Sequence, residues 1–268
     1  MKQKNGLWGK ILLVLTAIFF YAPIVYIMIF SFNGSRSLTK LNGFSLQWYE
    51  KMFSDRTMMQ AIFYTIAIAL LATVISTVVG TLTAIGLSRS KKILRNVVEQ
   101  VNNLPVMNPE IVTGIGLLMF FSAIGIKKGF GTMLLAHVMF CIPYVILSVM
   151  PKLRSLDPNL ADAAMDLGAT PLQALWKIIV PQITPGILSG ALIAFTMSFD
   201  DFVISYFVTG NGVNNISILV YTMSKRVNPS INALSTLVIA MITLVLIMIN
   251  IIPMIQEKRK KRKDETVL

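Results

Sequence analysis

The sequence LADAAMDLGATPLQALWKIIVP, residues 160–181, is a polar stretch that stands between long apolar runs. Thr170 followed by Pro171 is a typical helix start, because threonine caps the first turn and proline lacks only an N–H that needs no partner there. Gly168 precedes this start, and glycine readily adopts the left-handed conformation in which many helices end. The stretch therefore predicts a short helix, a bend at Gly168 and a second short helix over residues 171–179.

Both predicted helices carry faces suited to contact with a partner. An Asp-Pro pair at residues 157–158 gives the first helix a start of the same kind. Asp162 and Asp166 are four residues apart and share one helix face, while Ala163 and Ala164 give a small-residue surface that allows close approach. The second helix has an apolar stripe suited to a membrane surface or a neighbouring span, made of Leu172, Leu175, Trp176 and Ile179. The segment is interpreted as a binding surface for another protein.

The composition is that of an integral membrane protein. Hydrophobic residues make up 55% of the chain and charged residues 13%, and the mean hydropathy is +0.71. Six runs approach the ~20 apolar residues that cross a bilayer, and they lie near 11–32, 61–87, 104–126, 130–150, 186–208 and 234–255. The first run is too long for a signal peptide, and no small-residue cleavage site follows it. We expect an all-α membrane protein with six transmembrane helices in a single domain over residues 1–268.

The basic residues predict the orientation of the chain. Of the 24 lysines and arginines, 16 fall in alternate connecting segments: the N-terminus, the loop around residues 89–95, the loop that contains residues 157–181, and the tail 256–268. By the positive-inside rule these segments, and with them both termini, are cytoplasmic. The net charge of +12 is attributed to the basic cytoplasmic segments of a membrane protein and to their attraction to anionic lipid. It is not interpreted as a sign of nucleic-acid binding.

Cysteine and histidine are too few for the usual metal or disulfide chemistry. Cys141 and His137 are each the single residue of their type, so the chain has no internal disulfide, and no metal or other cofactor of its own is expected. Both lie in an apolar run. For His137 a hydrogen bond to a neighbouring helix is favoured over a role as a ligand or proton relay.

The segment 42–56 in the first loop mixes aromatic residues with charges and predicts an amphipathic helix on the outer face. Its large apolar side chains are Phe44, Trp48, Tyr49, Met52 and Phe53. Aromatic residues favour the headgroup level of a membrane. Two interpretations stay open, a membrane anchor and a docking surface for an extracellular partner.

The third span begins with a helix-breaking pattern. Asn108, Pro109 and Glu110 fit the N-cap and the first two positions of a new helix, where a carboxylate favours the positive end of the helix dipole. This predicts a broken helix, which a membrane tolerates where the backbone lines a cavity or is buried in protein. Glu110 either caps the helix alone or also faces a pathway.

Two adjacent carboxylates, Asp200 and Asp201, interrupt the fifth apolar run. Lipid exposure is excluded, because a central Asp is unfavourable by ~2.5–3.5 kcal/mol. At ~1.5 Å per residue from a start near Gly186 they lie in the outer half of the bilayer. The spans supply almost no basic partner, which favours an uncompensated site for a cationic ligand such as a polyamine, a cationic amino acid or a metal ion. The alternative is a structural ion pair or the cap of a kinked half-helix.

Motifs of catalysis and of nucleotide binding are missing from the sequence. No G-x-x-x-x-G-K-[ST] loop occurs, so the chain is not expected to bind ATP in the P-loop manner. A serine–histidine–acid set and H-E-x-x-H are absent too. We expect a protein that is not an enzyme.

The segment 160–181 resembles the EAA loop of bacterial ABC importer permeases, whose pattern is E-A-A, three residues, G, nine residues, and I-x-L-P. Residues 162–164 (DAA), Gly168, Ile178, Val180 and Pro181 hold those places at the same spacing. Asp replaces Glu and Val replaces Leu, which keeps the acidic and apolar characters. Over most of the chain the sequence is similar to the C-type permeases of spermidine/putrescine importers, through SFNGSR at 31–36, WY at 48–49, PEIV at 109–112, FDD at 199–201 and FVTG at 207–210.

This resemblance implies a type I ABC importer permease of the bacterial inner membrane that works by alternating access. It implies a second, homologous permease subunit, two copies of a cytoplasmic ATPase that bind ATP and Mg, and an extracellular or periplasmic substrate-binding protein. Residues 162–168, including Asp166, would form the coupling helix on the ATPase. Ile178 and Pro181 would complete that motif.

The resemblance also implies the cargo and its pathway. Asp200, Asp201 and Glu110 would offer negative charges to a polyamine, and Phe199 and Tyr206 would contact its methylenes or ammonium groups. Other cargoes of related permeases, such as thiamine, iron or a phosphonate, are the alternative. A stand-alone cation channel or secondary transporter is a further one, which ATP dependence of uptake would decide.

Overall fold

The computed structural model describes residues 7–224, 228–244 and 247, and this part of the chain is mainly helical. The helices are α1 (Leu7–Ser31), α2 (Gln47–Ser54), α3 (Arg56–Ser88), α4 (Lys92–Met107), α5 (Glu110–Ala123), α6 (Phe130–Arg154), α7 (Leu160–Asp166), α8 (Pro171–Ala174), α9 (Val180–Asp200), α10 (Val203–Val208), α11 (Ile216–Ser224) and α12 (Ser230–Leu244). A π-helical turn, Leu175–Ile179, joins α8 to α9. The predicted all-α class is confirmed.

Four of the described helices are long and apolar enough to cross a membrane, Trp8–Ser31, Arg56–Ser88, Phe130–Arg154 and Pro171–Asp200. The pair α4 and α5 adds a fifth span if it crosses as one broken element. The sixth predicted span, 234–255, overlaps α12, and its C-terminal part and the tail 256–268 lie outside the described residues. The count of six therefore stays a prediction.

The chain divides into two compact units, residues 1–59 with 222–268, and residues 60–221. In the described part of the first unit, the predicted helix of the first loop is confirmed as α2. Trp48 is buried and its Nε1 donates a hydrogen bond to the Asn33 carbonyl at 2.6 Å. Phe44 and Phe53 are exposed, which suits either a membrane anchor or a docking surface.

The core of the second unit is the packing of α9 against α6. Gly186 and Gly190, one helical turn apart, let the two helices approach closely, because a Cβ on them would lie 3.0 Å from the Ser148 oxygen and 3.1 Å from the Val145 Cα. Small residues at this spacing are typical of close helix contacts in membranes. The buried side chains around this contact include Met133, Cys141, Val145, Val149, Ile183 and Ala194.

Two helix breaks fall in the second unit. The predicted break in span three is confirmed: α4 and α5 meet at an angle of 104°, although the new helix begins one residue later than predicted, with Pro109 as its N-cap and Glu110 first. The predicted span 186–208 is not one helix, because α9 ends at Asp200 and α10 begins at Val203. Its N-terminal end also differs, since the predicted short helix 171–179 continues without interruption into α9.

Candidate functional site

The bend at Gly168 has the hydrogen bonds of a regular helix C-terminus. Gly168 N donates to the Met165 carbonyl at 2.9 Å, and Ala169 N donates to the Ala164 carbonyl at 3.1 Å. Gly168 has a φ of +88°, the left-handed conformation that glycine adopts without steric cost. The predicted bend and its cause are confirmed.

The second helix of the segment begins at a reciprocal cap, as its Thr-Pro start predicts. Gln173 N donates to Thr170 Oγ1 at 3.3 Å, and Thr170 N donates to Gln173 Oε1 at 3.0 Å. Two backbone N–H groups that a helix start leaves unpaired are satisfied in this way. The start of this helix is thereby stabilised.

The first helix, α7, turns only part of its predicted contact surface outward. Asp162, Ala163 and Asp166 are exposed, and Leu167 just after the helix is 92% exposed. Ala164 is buried, so it packs inside the protein and does not belong to the surface predicted for it. The reason is helical periodicity, since Ala161 and Ala164 lie three residues apart on the inner face.

The apolar stripe predicted for the second helix is partly exposed and partly buried. Leu172 and Trp176 are exposed, whereas Ile179 is buried. Of the two motif residues that follow, Ile178 is partly buried and Pro181 is exposed. The apolar surface next to α7 that is open to a partner or to lipid is therefore small and centred on Trp176.

A cavity of about 270 Å³ lies at the two helix breaks. Glu110 at the start of α5 and Asp200 and Asp201 at the end of α9 line it together. Three of the other lining residues are aromatic, Phe140, Tyr144 and Phe202, and no lysine or arginine is among them. The structure thus brings the three predicted carboxylates to one cavity, and this cavity is negatively charged when they are ionised.

Asp201 has a structural partner that the sequence did not suggest. It is 8% exposed, and its carboxylate accepts hydrogen bonds from Ser205 N at 2.7 Å and Ile204 N at 3.3 Å, so it caps α10. Its Oδ2 also lies 3.5 Å from His137 Nε2. The prediction of an uncompensated carboxylate therefore does not hold for Asp201; the alternative, a cap for a half-helix, describes it.

His137 is the centre of a buried polar network. It is 1% exposed, with Nδ1 2.6 Å from Ser198 Oγ on α9 and Nε2 2.9 Å from Ser205 Oγ on α10. Asn215 Nδ2 donates to Ser205 Oγ at 3.0 Å and to the Asp201 carbonyl at 2.8 Å. The predicted hydrogen bond from His137 to a neighbouring helix is confirmed, and the network joins α6, α9 and α10 at the break.

Asp200 is exposed, and no described lysine, arginine or histidine forms an ion pair with it or with Glu110. Phe199 and Tyr206, predicted to accompany the carboxylates, do not line the cavity. Phe199 packs on Phe195 instead, with 5.6 Å between ring centroids. Adjacent residues on a helix point about 100° apart, so Phe199 does not share the direction of Asp200.

The aromatic residues that do line the cavity include Phe140 and Tyr144 of α6, which sequence reasoning missed. They follow His137 at intervals of three and seven residues, and this spacing places all three on one helix face. The spacing is a signal that the sequence contains.

The model of the family described as binding-protein-dependent transport system inner membrane component matches residues 76–262. The chain belongs to this family. It is a multi-pass permease of the inner membrane and a transport subunit, and the resemblance found in residues 160–181 is confirmed. A stand-alone channel or secondary transporter is set aside, since the family serves binding-protein-dependent systems.

Two polyamine transport permeases are similar in sequence to most of this chain. The putrescine transport system permease protein PotI of Escherichia coli (strain K12) is 38% identical over 243 residues, 88% of this chain and 86% of that protein. The spermidine/putrescine transport system permease protein PotC of Haemophilus influenzae is 38% identical over 224 residues, 83% of this chain and 87% of that protein.

Solved structures share the fold at low sequence identity. A chain of a bacterial ABC transporter involved in the import of the acidic polysaccharide alginate has a TM-score of 0.71 and 17% identity, with 96% of this chain and 98% of that chain covered. A chain of the MetNI methionine ABC transporter has a TM-score of 0.57 and 18% identity, with 71% and 95% covered. The fold is therefore that of ABC importer permeases.

Proposed function

We propose that the permease carries polyamines, spermidine or putrescine, into the cell as the membrane-spanning part of an ATP-driven importer. The assignment of a polyamine cargo rests on the cavity that Glu110 and Asp200 line. No described basic residue lines this cavity. A polyamine is a flexible chain of methylenes with protonated amines, and carboxylates beside aromatic rings suit both parts. The names of the 38% identical relatives agree with this cargo.

The energy source belongs to a partner in this proposal. The permease pairs with a second, homologous permease subunit and docks two copies of a cytoplasmic ATPase, which binds ATP and Mg. A substrate-binding protein delivers the cargo on the opposite side of the membrane. The surface proposed to enter the ATPase is the exposed face of α7, with Asp162, Ala163 and Asp166, together with Leu167 just after the helix.

The orientation follows from this arrangement. Both termini and residues 157–181 lie in the cytoplasm, and the cavity faces the substrate pathway. Movement of the ATPases shifts α7, and the shift passes through the Thr170 cap into the continuous helix Pro171–Asp200. The carboxylate at the far end of this helix then faces alternate sides of the membrane.

The cavity must bind weakly for transport to proceed, because a pathway that holds its cargo tightly does not release it. Asp201 is already engaged by α10 and His137, which leaves Asp200 and Glu110 as the carboxylates available to a passing ammonium group. Two exposed charges give a modest attraction, consistent with a transit site.

Uptake of labelled polyamine tests the proposal. The gene is expressed with its neighbouring transporter genes in bacteria that lack their own polyamine importers. We expect spermidine or putrescine uptake that needs this chain and stops when the P-loop lysine of the ATPase is replaced. Competition by thiamine, ferric iron or a phosphonate, with none by polyamines, would assign the permease to another cargo.

A further inference from the structure

A second cavity, of about 350 Å³, lies against the 157–181 loop. Three arginines line it: Arg89 after α3, Arg95 in α4 and Arg154 at the end of α6. The acidic residue in its lining is Asp157. We call it the arginine cavity; it is distinct from the acidic cavity at the helix breaks.

Two of the three guanidinium groups have no paired anion among the residues that the structure describes. Arg154 donates from Nη2 to both carboxylate oxygens of Glu99, at 2.5 and 2.6 Å, so its charge is matched. No described acidic residue forms an ion pair with Arg89 or Arg95. Asp157 uses one oxygen to accept a hydrogen bond from Asn159 N at 2.9 Å. The arginine cavity therefore carries an excess of positive charge.

Arg95 has a buried donor without a partner in the described part of the chain. Its Nε is enclosed and makes no hydrogen bond among the described residues. A buried polar group left unsatisfied destabilises a protein, and more so when the group is charged. An anion in the cavity would satisfy it, and the planar fork of N–H donors on arginine matches the oxygens of a phosphate.

We propose that the arginine cavity binds a phosphate-bearing anion, the headgroup of an anionic phospholipid of the membrane. The remaining lining of the arginine cavity is largely apolar and suits the methylenes next to a lipid phosphate; it includes Ile85, Met150, Leu153, Leu156 and Ile179. Basic pockets between helices at the cytoplasmic face suit such headgroups. The inference rests on the proposed function for one point, the placement of residues 157–181 at that face.

The bound headgroup would touch the segment proposed to dock the ATPase. Asp157, Pro158 and Ala161 line the arginine cavity from the side of the loop and α7. Arg89, Arg95 and Arg154 line it from the transmembrane elements. An anion between them holds α7 against the ends of α3 and α6, so the lipid composition of the membrane influences the position of the coupling helix.

Binding to the purified full-length permease tests the inference. In neutral detergent at fixed ionic strength, native mass spectrometry follows titration with short-chain phosphatidylglycerol, short-chain phosphatidylcholine or inorganic phosphate. Arg89→Gln and Arg95→Gln should each weaken phosphatidylglycerol binding at least about tenfold, the loss of a charge-assisted contact. Arg95→Lys, which keeps the charge without the fork, should give a smaller loss.

Lys91→Gln is the matched control, because Lys91 lies on the same connecting segment and does not line the arginine cavity. It should bind phosphatidylglycerol like the unmodified protein, and phosphatidylcholine should bind equally to all variants. Arg89 is exposed, so Arg89→Gln leaves the helix packing intact and keeps the test open if Arg95→Gln does not fold.

Each outcome decides the inference. Arginine-dependent binding of inorganic phosphate without binding of phosphatidylglycerol keeps the phosphate chemistry and makes a free anion its source. The inference is overturned by equal losses in Lys91→Gln or by the absence of arginine-dependent binding of either probe. Polyamine uptake is measured separately, so a failed transport assay leaves this binding result intact.

Discussion

At the residue scale, Asp200 and Asp201 are neighbours with different environments. Helix α9 ends between them, which turns the Asp201 carboxylate onto the backbone of α10 and leaves Asp200 exposed at the cavity. A carboxylate that accepts two backbone hydrogen bonds and contacts a histidine is a structural group. An exposed carboxylate without an ion pair is available to a ligand.

Replacing Asp200 should affect transport and not folding. Asp200→Asn removes a charge from the acidic cavity, and the loss of about 1 kcal/mol of attraction lowers uptake of a limiting polyamine about fivefold. Labelled spermidine uptake measures the effect, with thermal unfolding as the check on folding. Glu50→Gln, at an exposed carboxylate of α2, is the control. Uptake by Asp200→Asn equal to that of this control would refute the role.

Replacing Asp201 should affect folding first. Asp201→Ala leaves the N–H groups of Ile204 and Ser205 without their acceptor, at a cost of about 1–3 kcal/mol. The melting temperature in detergent should fall. Asp201→Asn keeps one acceptor oxygen and should lower it less. Equal melting temperatures for Asp201→Ala and the unmodified protein would contradict the capping role.

At the element scale, the two helix breaks differ in how far the sequence predicts them. The break before α5 is predictable from the sequence, because a proline such as Pro109 interrupts the hydrogen bonds of a continuing helix. The break after Asp200 has no proline or glycine. It depends on contacts of Asp201 with α10 and with His137, which is 64 positions away in the sequence, and a local pattern does not contain such a partner.

The bend between α7 and α8 is fully local and predictable from Gly168. A Cβ at this position would meet no atom within 4 Å, so the cost of a substitution comes from the backbone conformation alone. Gly168→Val should cost about 1–2 kcal/mol, weaken co-purification of the ATPase and lower uptake. Gly168→Asn, which tolerates the left-handed conformation, is the matched control. Normal co-purification and uptake by Gly168→Val would contradict the prediction.

The contact of α5 with α10 depends on a glycine as well. A Cβ on Gly114 would lie 2.9 Å from Phe207 Cδ2, whereas one on Gly116 in the same helix would meet nothing within 4 Å. Gly114→Ala should therefore lower the melting temperature, and Gly116→Ala should leave it equal or raise it, since alanine favours a helix by about 1 kcal/mol. The opposite order in thermal unfolding would show that the ring of Phe207 moves aside freely.

At the scale of the whole molecule, the single cysteine allows the proposed orientation to be measured. Cys141 is buried, and Cys141→Ser gives a background for new thiols at Phe44→Cys and Leu167→Cys, positions 77% and 92% exposed. With the chain expressed alone in spheroplasts, an impermeant maleimide should label position 44 directly and position 167 only after permeabilisation. The reverse order would invert the topology.

The continuous helix Pro171–Asp200 is long enough that a small tilt at one end displaces the other end considerably. At 30 residues it is about 45 Å long, with the family motif at one end and the cavity carboxylate at the other. A tilt of about 10° at the first end moves the second by about 8 Å at that length. The π-helical turn near its start holds an extra residue per turn, and this sets the azimuth at which Asp200 points. In the proposed orientation, a small tilt at the cytoplasmic end of this helix therefore displaces a charged side chain near the opposite face of the membrane by a much larger distance.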